Sequence, residues 1–317
     1  DLRERPLIRV LVHHNKVTHS MLAANDYGGI ESWQGGPAYI YNNISGNCIG
    51  HKHGATGGWG HGLTTWAYAF YLDGQFKSYT FNNIAWGKHS DPNHPYANRG
   101  AFLQVIGFMN HWFNNTAYNT VIGSHRGGSL HAIYLANLYL DMGTHFFLHR
   151  HTPCEDMPQQ GYAANVFFGD PNEFGQFCRE GGGGTLEQFR ERLCAMQPYA
   201  CQTGWEAEEP PTRNAPDHDF RPTAGSAAID RGVRYFVPWG LYMSDYHYSI
   251  GIPEGAQRSQ EGDFVYPGEK RRTVDMDANN FLIEAYFRTD PGHTGGTLVS
   301  KLGDAGYALG VNERGGV

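Results

Sequence analysis

A short asparagine-centred phrase recurs along this chain and restricts its fold more than any other feature. It reads His14-Asn15-Lys16-Val17, Tyr41-Asn42-Asn43-Ile44, Phe81-Asn82-Asn83-Ile84 and Phe113-Asn114-Asn115-Thr116, with a degenerate copy at Leu135-Ala136-Asn137-Leu138. The phrases begin at positions 14, 41, 81, 113 and 135, so their spacings are about 27, 40, 32 and 22 residues. Repeats of this period mean one supersecondary unit stacked on the next. Each of the first four copies follows a strand-like run: Arg9-Val10-Leu11-Val12, Ala38-Tyr39-Ile40-Tyr41, Ser78-Tyr79-Thr80-Phe81, and Met109 to Phe113. Asparagine then suits a corner, because it tolerates left-handed backbone and its side chain bonds neighbouring main chain. Stacked coils lie roughly 4.8 Å apart, so aligned asparagines form a ladder along the axis. The shorter spacings match one coil of a parallel β-helix, and the longer ones a coil with a loop. Two sequons, Asn43-Ile44-Ser45 and Asn114-Asn115-Thr116, fall inside the phrases and are read as ladder rather than as glycosylation sites.

Composition agrees with a β-rich fold. Of 317 residues 42 are glycine, with no collagen period, which implies many tight turns. Aromatics reach 14%, a fraction that suits either a β-core or a surface that stacks on sugar rings. The formal charge is −7 and the one basic run is Lys270-Arg271-Arg272, which argues against nucleic acid as a partner. No apolar stretch approaches the roughly 18 residues of a spanning helix. Asp1-Leu2-Arg3-Glu4 is no signal peptide, so either a leader has been removed or the chain is a fragment. Cys154, Cys178, Cys194 and Cys201 crowd together at spacings that fit no zinc pattern, while Cys48 stands apart. Two disulfides in an oxidising compartment are the expectation.

From His151 to about Pro216 the phrase disappears, and this span reads as an insertion. Within it Thr185 and Gln188 are spaced as a capping box, and Leu186, Phe189, Leu193 and Met196 share one face of a short helix that ends before Pro198. Two further phrases carry a family resemblance. Ser226-Ala227-Ala228-Ile229-Asp230-Arg231-Gly232 resembles the closing phrase of bacterial β-helical polysaccharide enzymes, and Asn25-Asp26-Tyr27-Gly28-Gly29-Ile30-Glu31 resembles their turn-to-strand step. The likeness covers residues 1 to about 232. It implies an all-β, right-handed parallel β-helix, a polysaccharide or glycan partner, and an extracellular, periplasmic or cell-surface location. Residues 233–277 read as a linker. Residues 278–317 are similar to the opening strands of a laminin-G or concanavalin-like jelly roll, with strands expected at 280–289, 295–301 and 306–311. That likeness implies further sequence beyond Val317, since three strands cannot close two sheets.

Aligning the phrases sets residue 31 against 71 and 33 against 73, and strand alternation then turns Ile30, Phe70 and Leu72 inward. Glu31, Trp33, Tyr71 and Asp73 face outward together, and a gapped alignment adds Gln104. Two carboxylates flanking a bond are what glycoside hydrolysis needs. Glu31, beside Trp33, is the candidate acid and Asp73 the candidate nucleophile or base, with Asp26 a third carboxylate in a turn. Trp33, Tyr71 and Gln104 are the expected sugar contacts. A Gly- and His-rich loop supplies His51, Lys52 and His53, and the next loop Arg99; these are further substrate contacts. A divalent cation such as calcium suits His51 and His53 with Asp26 or Glu31, although no motif requires a cofactor. An alternative reading is a uronate lyase, with His53 or Tyr71 as base and Lys52, Lys88 or Arg99 neutralising the carboxylate. A second alternative is a scaffold that binds glycans without reaction.

Overall fold

The computed structural model describes residues 7–8, 10–24, 26–35, 37–48, 67–87, 101–130, 132–150, 154, 157, 160–178, 182–196, 203–235, 237, 242–243, 257–258, 264–265, 296–301 and 307–311. They are predominantly β, with one α-helix among them. Three stacks of parallel strands dominate. The long sheet contains Tyr27–Gly35, Ala67–Phe76, Ala101–Phe108, Ile122–Leu130, His145–His149 and Gly175–Phe177, closed by the antiparallel Gly182–Gly183. The middle sheet runs Val10–His13, Ala38–Tyr41, Tyr79–Phe81, His111–Phe113, Ile133–Leu135 and Gly161–Ala163. The third runs Lys16–Thr18, Ile44–Gly46, Ile84–Trp86, Thr116–Tyr118, Leu138–Leu140, Asn165–Phe168 and Gly204–Glu206. From Val10–His13 to Gly175–Phe177 the chain visits middle, third and long sheet in turn, so each strand up to His145–His149 pairs with the strand three elements later.

The asparagines stand in one column. Side-chain amides donate from Asn15 to Asn43 (3.0 Å), Asn43 to Asn83 (3.0 Å), Asn83 to Asn115 (2.9 Å), Asn115 to Asn137 (3.0 Å) and Asn137 to Asn165 (3.1 Å). Each acceptor Oδ1 also takes the main-chain N–H of the asparagine before it. The second N–H of the amides of Asn43, Asn83, Asn115, Asn137 and Asn165 goes to a strand carbonyl in the preceding coil. A buried amide therefore leaves no group unbonded, the condition for keeping it in a core. The two positions of the phrase divide the work. The left-handed turn is made by the residue before, at His14, Asn42, Asn82, Asn114, Ala136 and Ala164, all with φ of 50–58°. Asn43 is 1% exposed and bonded on both sides, which rules out its sequon as an accessible acceptor. Asn114 is engaged with the main chain of Val233 in both directions.

The core lies inside the three sheets. Ile30, Phe70 and Leu72 belong to it, as alternation requires, with Phe102, Trp112, Tyr134, Tyr139, Phe147, Tyr162 and Phe167. The expected insertion over 151–216 is corrected. Gly161–Ala163, Asn165–Phe168, Gly175–Phe177 and Gly204–Glu206 all join the three sheets, so the stack runs on through this span. Helix Leu186–Met196 begins as its cap predicts: the Gln188 N–H donates to Thr185 Oγ1 at 3.2 Å, and Gln188 Oε1 accepts from the Gly184 N–H at 2.9 Å. Its buried face is Leu186, Phe189 and Leu193. Phe189 meets Phe147, Tyr162, Phe174 and Phe177, so the helix plugs the interior beside the last coils rather than lying on an outer face. A Cys154–Cys178 disulfide ties this end, Cys194 is disulfide-bonded too, and Cys48 is a buried free thiol.

By compactness the chain divides into two units, residues 1–237 with 241–273, and residues 238–240 with 274–317. In the first, the expected linker contributes pairing: Tyr242–Met243 pairs antiparallel with Leu7–Ile8, and Gln257–Arg258 with Phe264–Val265. In the second, Gly296–Lys301 and Tyr307–Val311 form an antiparallel pair. The strand expected at 280–289 lies outside the described residues. Among the described residues no helix is long and apolar enough to cross a membrane.

Candidate functional site

Three outer faces are available, and two are covered. On the third sheet, Trp86, Tyr118 and Leu140 pack under Ala215 and Phe220, and His218 stacks on Trp86 at 4.1 Å. On the middle sheet, Val233, Tyr235 and Val237 lie against Tyr39, Tyr79 and Phe113. The aromatic column there stacks on itself, His13 on Tyr41 (4.9 Å), Tyr41 on Phe81 (5.1 Å) and Phe81 on Phe113 (4.9 Å), with interplanar angles of 15°, 5° and 6°. Rings stacked this way spend their faces on each other and offer only edges, whereas a sugar platform needs a free face. The long sheet keeps exposed and half-buried polar groups on its outer side, with Trp33 at 62% exposure.

The strand register on this sheet is the one the phrases predict. Glu31 lies opposite Tyr71 and Trp33 opposite Asp73. The column continues from Tyr71 to Gln104, from Gln104 to His125 and from His125 to Leu148. Asp73 sits within strand Ala67–Phe76 and not in an isolated turn; the left-handed residue there is Gly74, φ 67°. Glu31 and Asp73 occupy adjacent strands, offset by two residues. The diagonal between their backbones is about 8 Å, from a strand spacing of about 4.8 Å and a rise of about 3.3 Å per residue. Tyr71 is only 3% exposed and packs with Tyr68, Ile106 and Ile122, a cluster separate from the interior core.

The electrostatics single out Glu31. Burial pushes its carboxyl above the usual range, the Gly28 N–H bonded to Oε2 at 3.0 Å pulls it back, and the carboxylates of Asp73 and then Asp26 push it up again. The three acids named from sequence are thus close enough to interact. Asp26 has φ 62°, as a turn-forming acid tolerates, and is exposed. His51, Lys52, His53, Lys88 and Arg99 lie outside the described residues, as does the side chain of Gln104. Among the described residues no group of three His, Cys, Asp or Glu is arranged to hold a metal.

Two neighbours of the site went unnoticed in the sequence. Tyr68 OH and His125 Nδ1 are 3.2 Å apart with rings nearly parallel, and Tyr68 lies 5.0 Å from Tyr71. Simple alternation sends Tyr68 inward with Phe70. The outer cluster that it shares with Tyr71, while Ala69 and Phe70 both enter the core, means that the strict two-residue period breaks here. The 22-residue step between the fourth and fifth phrases was the available clue to His125, since it carries Gln104 to its vicinity. Comparison with protein-family models, curated proteins and solved structures gave no match.

Proposed function

We propose that this chain is an exported, right-handed parallel β-helix that hydrolyses a polysaccharide on the outer face of its long sheet, joined through a linker to a laminin-G-like unit. Glu31 acts as general acid, Asp73 is the partner carboxylate as nucleophile or base, and Trp33 is a sugar platform. The observation that carries this reading is the half-buried Glu31, held protonated more readily than an ordinary carboxyl by its burial and by Asp73 and Asp26. A carboxyl raised by burial beside a second carboxylate suits the acid role in glycoside hydrolysis. Export is supported by the Cys154–Cys178 disulfide.

The test is a panel of neutral and acidic polysaccharides, with release of reducing ends as the readout. Glu31→Gln is expected to lower kcat by about 10²–10⁴-fold on the substrate that the wild type cleaves. The acid must be protonated to act, so the wild-type rate falls as pH rises through the elevated Glu31 pKa. Unchanged turnover by Glu31→Gln removes Glu31 from the reaction. Binding without turnover by the wild type across the panel favours a glycan-binding scaffold instead. One other chemistry is elimination from a uronate, in which a Tyr or His takes the proton; the Tyr68–His125 pair, 2% and 3% exposed, supports it only through its packing beside Tyr71. Its signature is an unsaturated product seen by ultraviolet absorbance, with no dependence on Glu31.

A further inference from the structure

The acid of the proposed site is gripped by its own strand. Glu31 Oε2 accepts a hydrogen bond from the main-chain N–H of Gly28, three residues earlier, at 3.0 Å. A Cβ at position 28 would lie 2.8 Å from the Ile30 carbonyl oxygen, 2.8 Å from the Tyr71 Cβ and 3.1 Å from the Tyr71 nitrogen. Two of those three atoms are main chain, so no rotamer change relieves the overlap. Tyr71 is itself fixed: it pairs with Glu31 in register and packs on Tyr68, which reaches across the intervening strand Ala101–Phe108 to His125.

We propose that Gly28 is a positioning residue for Glu31: the lack of a side chain lets strand Tyr27–Gly35 close against Tyr71, and that closure aims the Gly28 N–H at the Glu31 carboxylate. This glycine, the second residue of strand Tyr27–Gly35, is then a part of the acid's machinery as well as of the fold. This rests on the reading of Glu31 as the acid. Among the described residues, the groups that act on its carboxyl are the Gly28 N–H and Asp26 from its own strand and the turn before it, and Asp73 from the adjacent strand. A donor to the carboxylate favours the charged form, so Gly28 works against burial and against the two acids. It holds the Glu31 pKa below what burial and the two neighbouring acids alone would give.

The experiment follows the Glu31 side-chain carbon and the Gly28 amide by NMR through a pH titration of the whole chain, with Glu31→Gln assigning the resonances. In the wild type the Gly28 amide proton is expected to titrate with the Glu31 midpoint, and to lose that step in Glu31→Gln. In Gly28→Ala the Glu31 midpoint is expected to rise by about one pH unit, the scale of one lost donor. The alkaline limb of the rate profile is expected to move up with it. A Gly28 amide indifferent to Glu31, or a midpoint unmoved in Gly28→Ala, overturns the proposal. The wild-type amide measurement decides the matter even where Gly28→Ala fails to fold. A coupled titration in a protein that cleaves no polysaccharide leaves the positioning intact and defeats the hydrolase reading alone.

Discussion

Asn83→Ala is expected to destabilise the fold by about 3–6 kcal/mol, while Asn82→Ala next to it costs no more than about 1–2 kcal/mol. The difference lies in what each side chain does. Asn83 is fully buried; its amide donates to the Ile40 carbonyl and to Asn115 Oδ1, and its Oδ1 accepts from both the main chain and the side chain of Asn43. Deleting it strands three groups in the interior: the Asn43 N–H, one Asn43 amide hydrogen and the Ile40 carbonyl. Asn115 Oδ1 keeps the Asn83 main-chain N–H. Each stranded group costs about 1–3 kcal/mol. Asn82 is exposed and supplies a left-handed backbone, φ 53°, a conformation that Ala136 and Ala164 already adopt in later coils. Urea unfolding of the two variants checks this. Equal losses at positions 82 and 83 would mean that the column contributes nothing beyond its turns.

A second large effect is expected in acid. His149 is wholly buried, with Nε2 2.8 Å from Ser124 Oγ and Nδ1 2.5 Å from the Tyr162 hydroxyl, among Phe147 and Tyr134. Burial pushes its pKa down to about 3. In the unfolded chain an ordinary histidine titrates near 6.5. Between these values the unfolded state holds the extra proton, so stability falls as pH drops from about 6.5 to about 3, with a limiting slope of about 1.4 kcal/mol per pH unit, and levels off below. His145, also lowered by burial, and Glu173, lowered by Gln176 and His145, lose stability in the same direction. The His149 share is isolated by comparing the wild type with His149→Gln across this range. The variant is expected to be less stable at neutral pH and flatter in acid; two parallel curves would show that His149 does not set the slope.

The parts of this molecule that were readable from sequence are those in which one residue type answers one geometric demand. The buried column demands an amide in every coil, and the phrases around Asn43, Asn83 and Asn115 announce it. Once those are aligned, the register of Glu31 with Tyr71 and Trp33 with Asp73 follows by counting. Reading failed where the demand is met by more than one residue. A left-handed corner accepts Ala136 and Ala164 as well as Asn82, and after Asn165 the next place in the column goes to the Thr203 carbonyl, so with no further asparagine to follow the coils after residue 151 read as an insertion. The Tyr68–His125 contact needs a break in strand alternation and a reach across a whole strand, neither of which leaves a mark in a linear pattern. Gly28 is legible only as part of the turn-to-strand step, and its duty toward Glu31 depends on the bulk of Tyr71, 43 residues further along (71 − 28 = 43).

The asparagine column also has a direction. Every amide in it points its nitrogen toward the later coil and its oxygen toward the earlier one, from Asn15 through to Asn165, whose Nδ2 ends on the Thr203 carbonyl. The five buried amides, from Asn43 to Asn165, are parallel dipoles in a low-dielectric interior and polarise one another, strengthening each bond by roughly 10–30%, while Asn15 is exposed at the end of the row. Their sum is a small permanent electric moment along the axis, negative at the Asn15 end, on the same first turn as Lys16, His13 and His14. Reversing a buried amide such as that of Asn83 would break its four bonds and oppose its neighbours, so the row behaves as a single polarised unit and not as separate contacts.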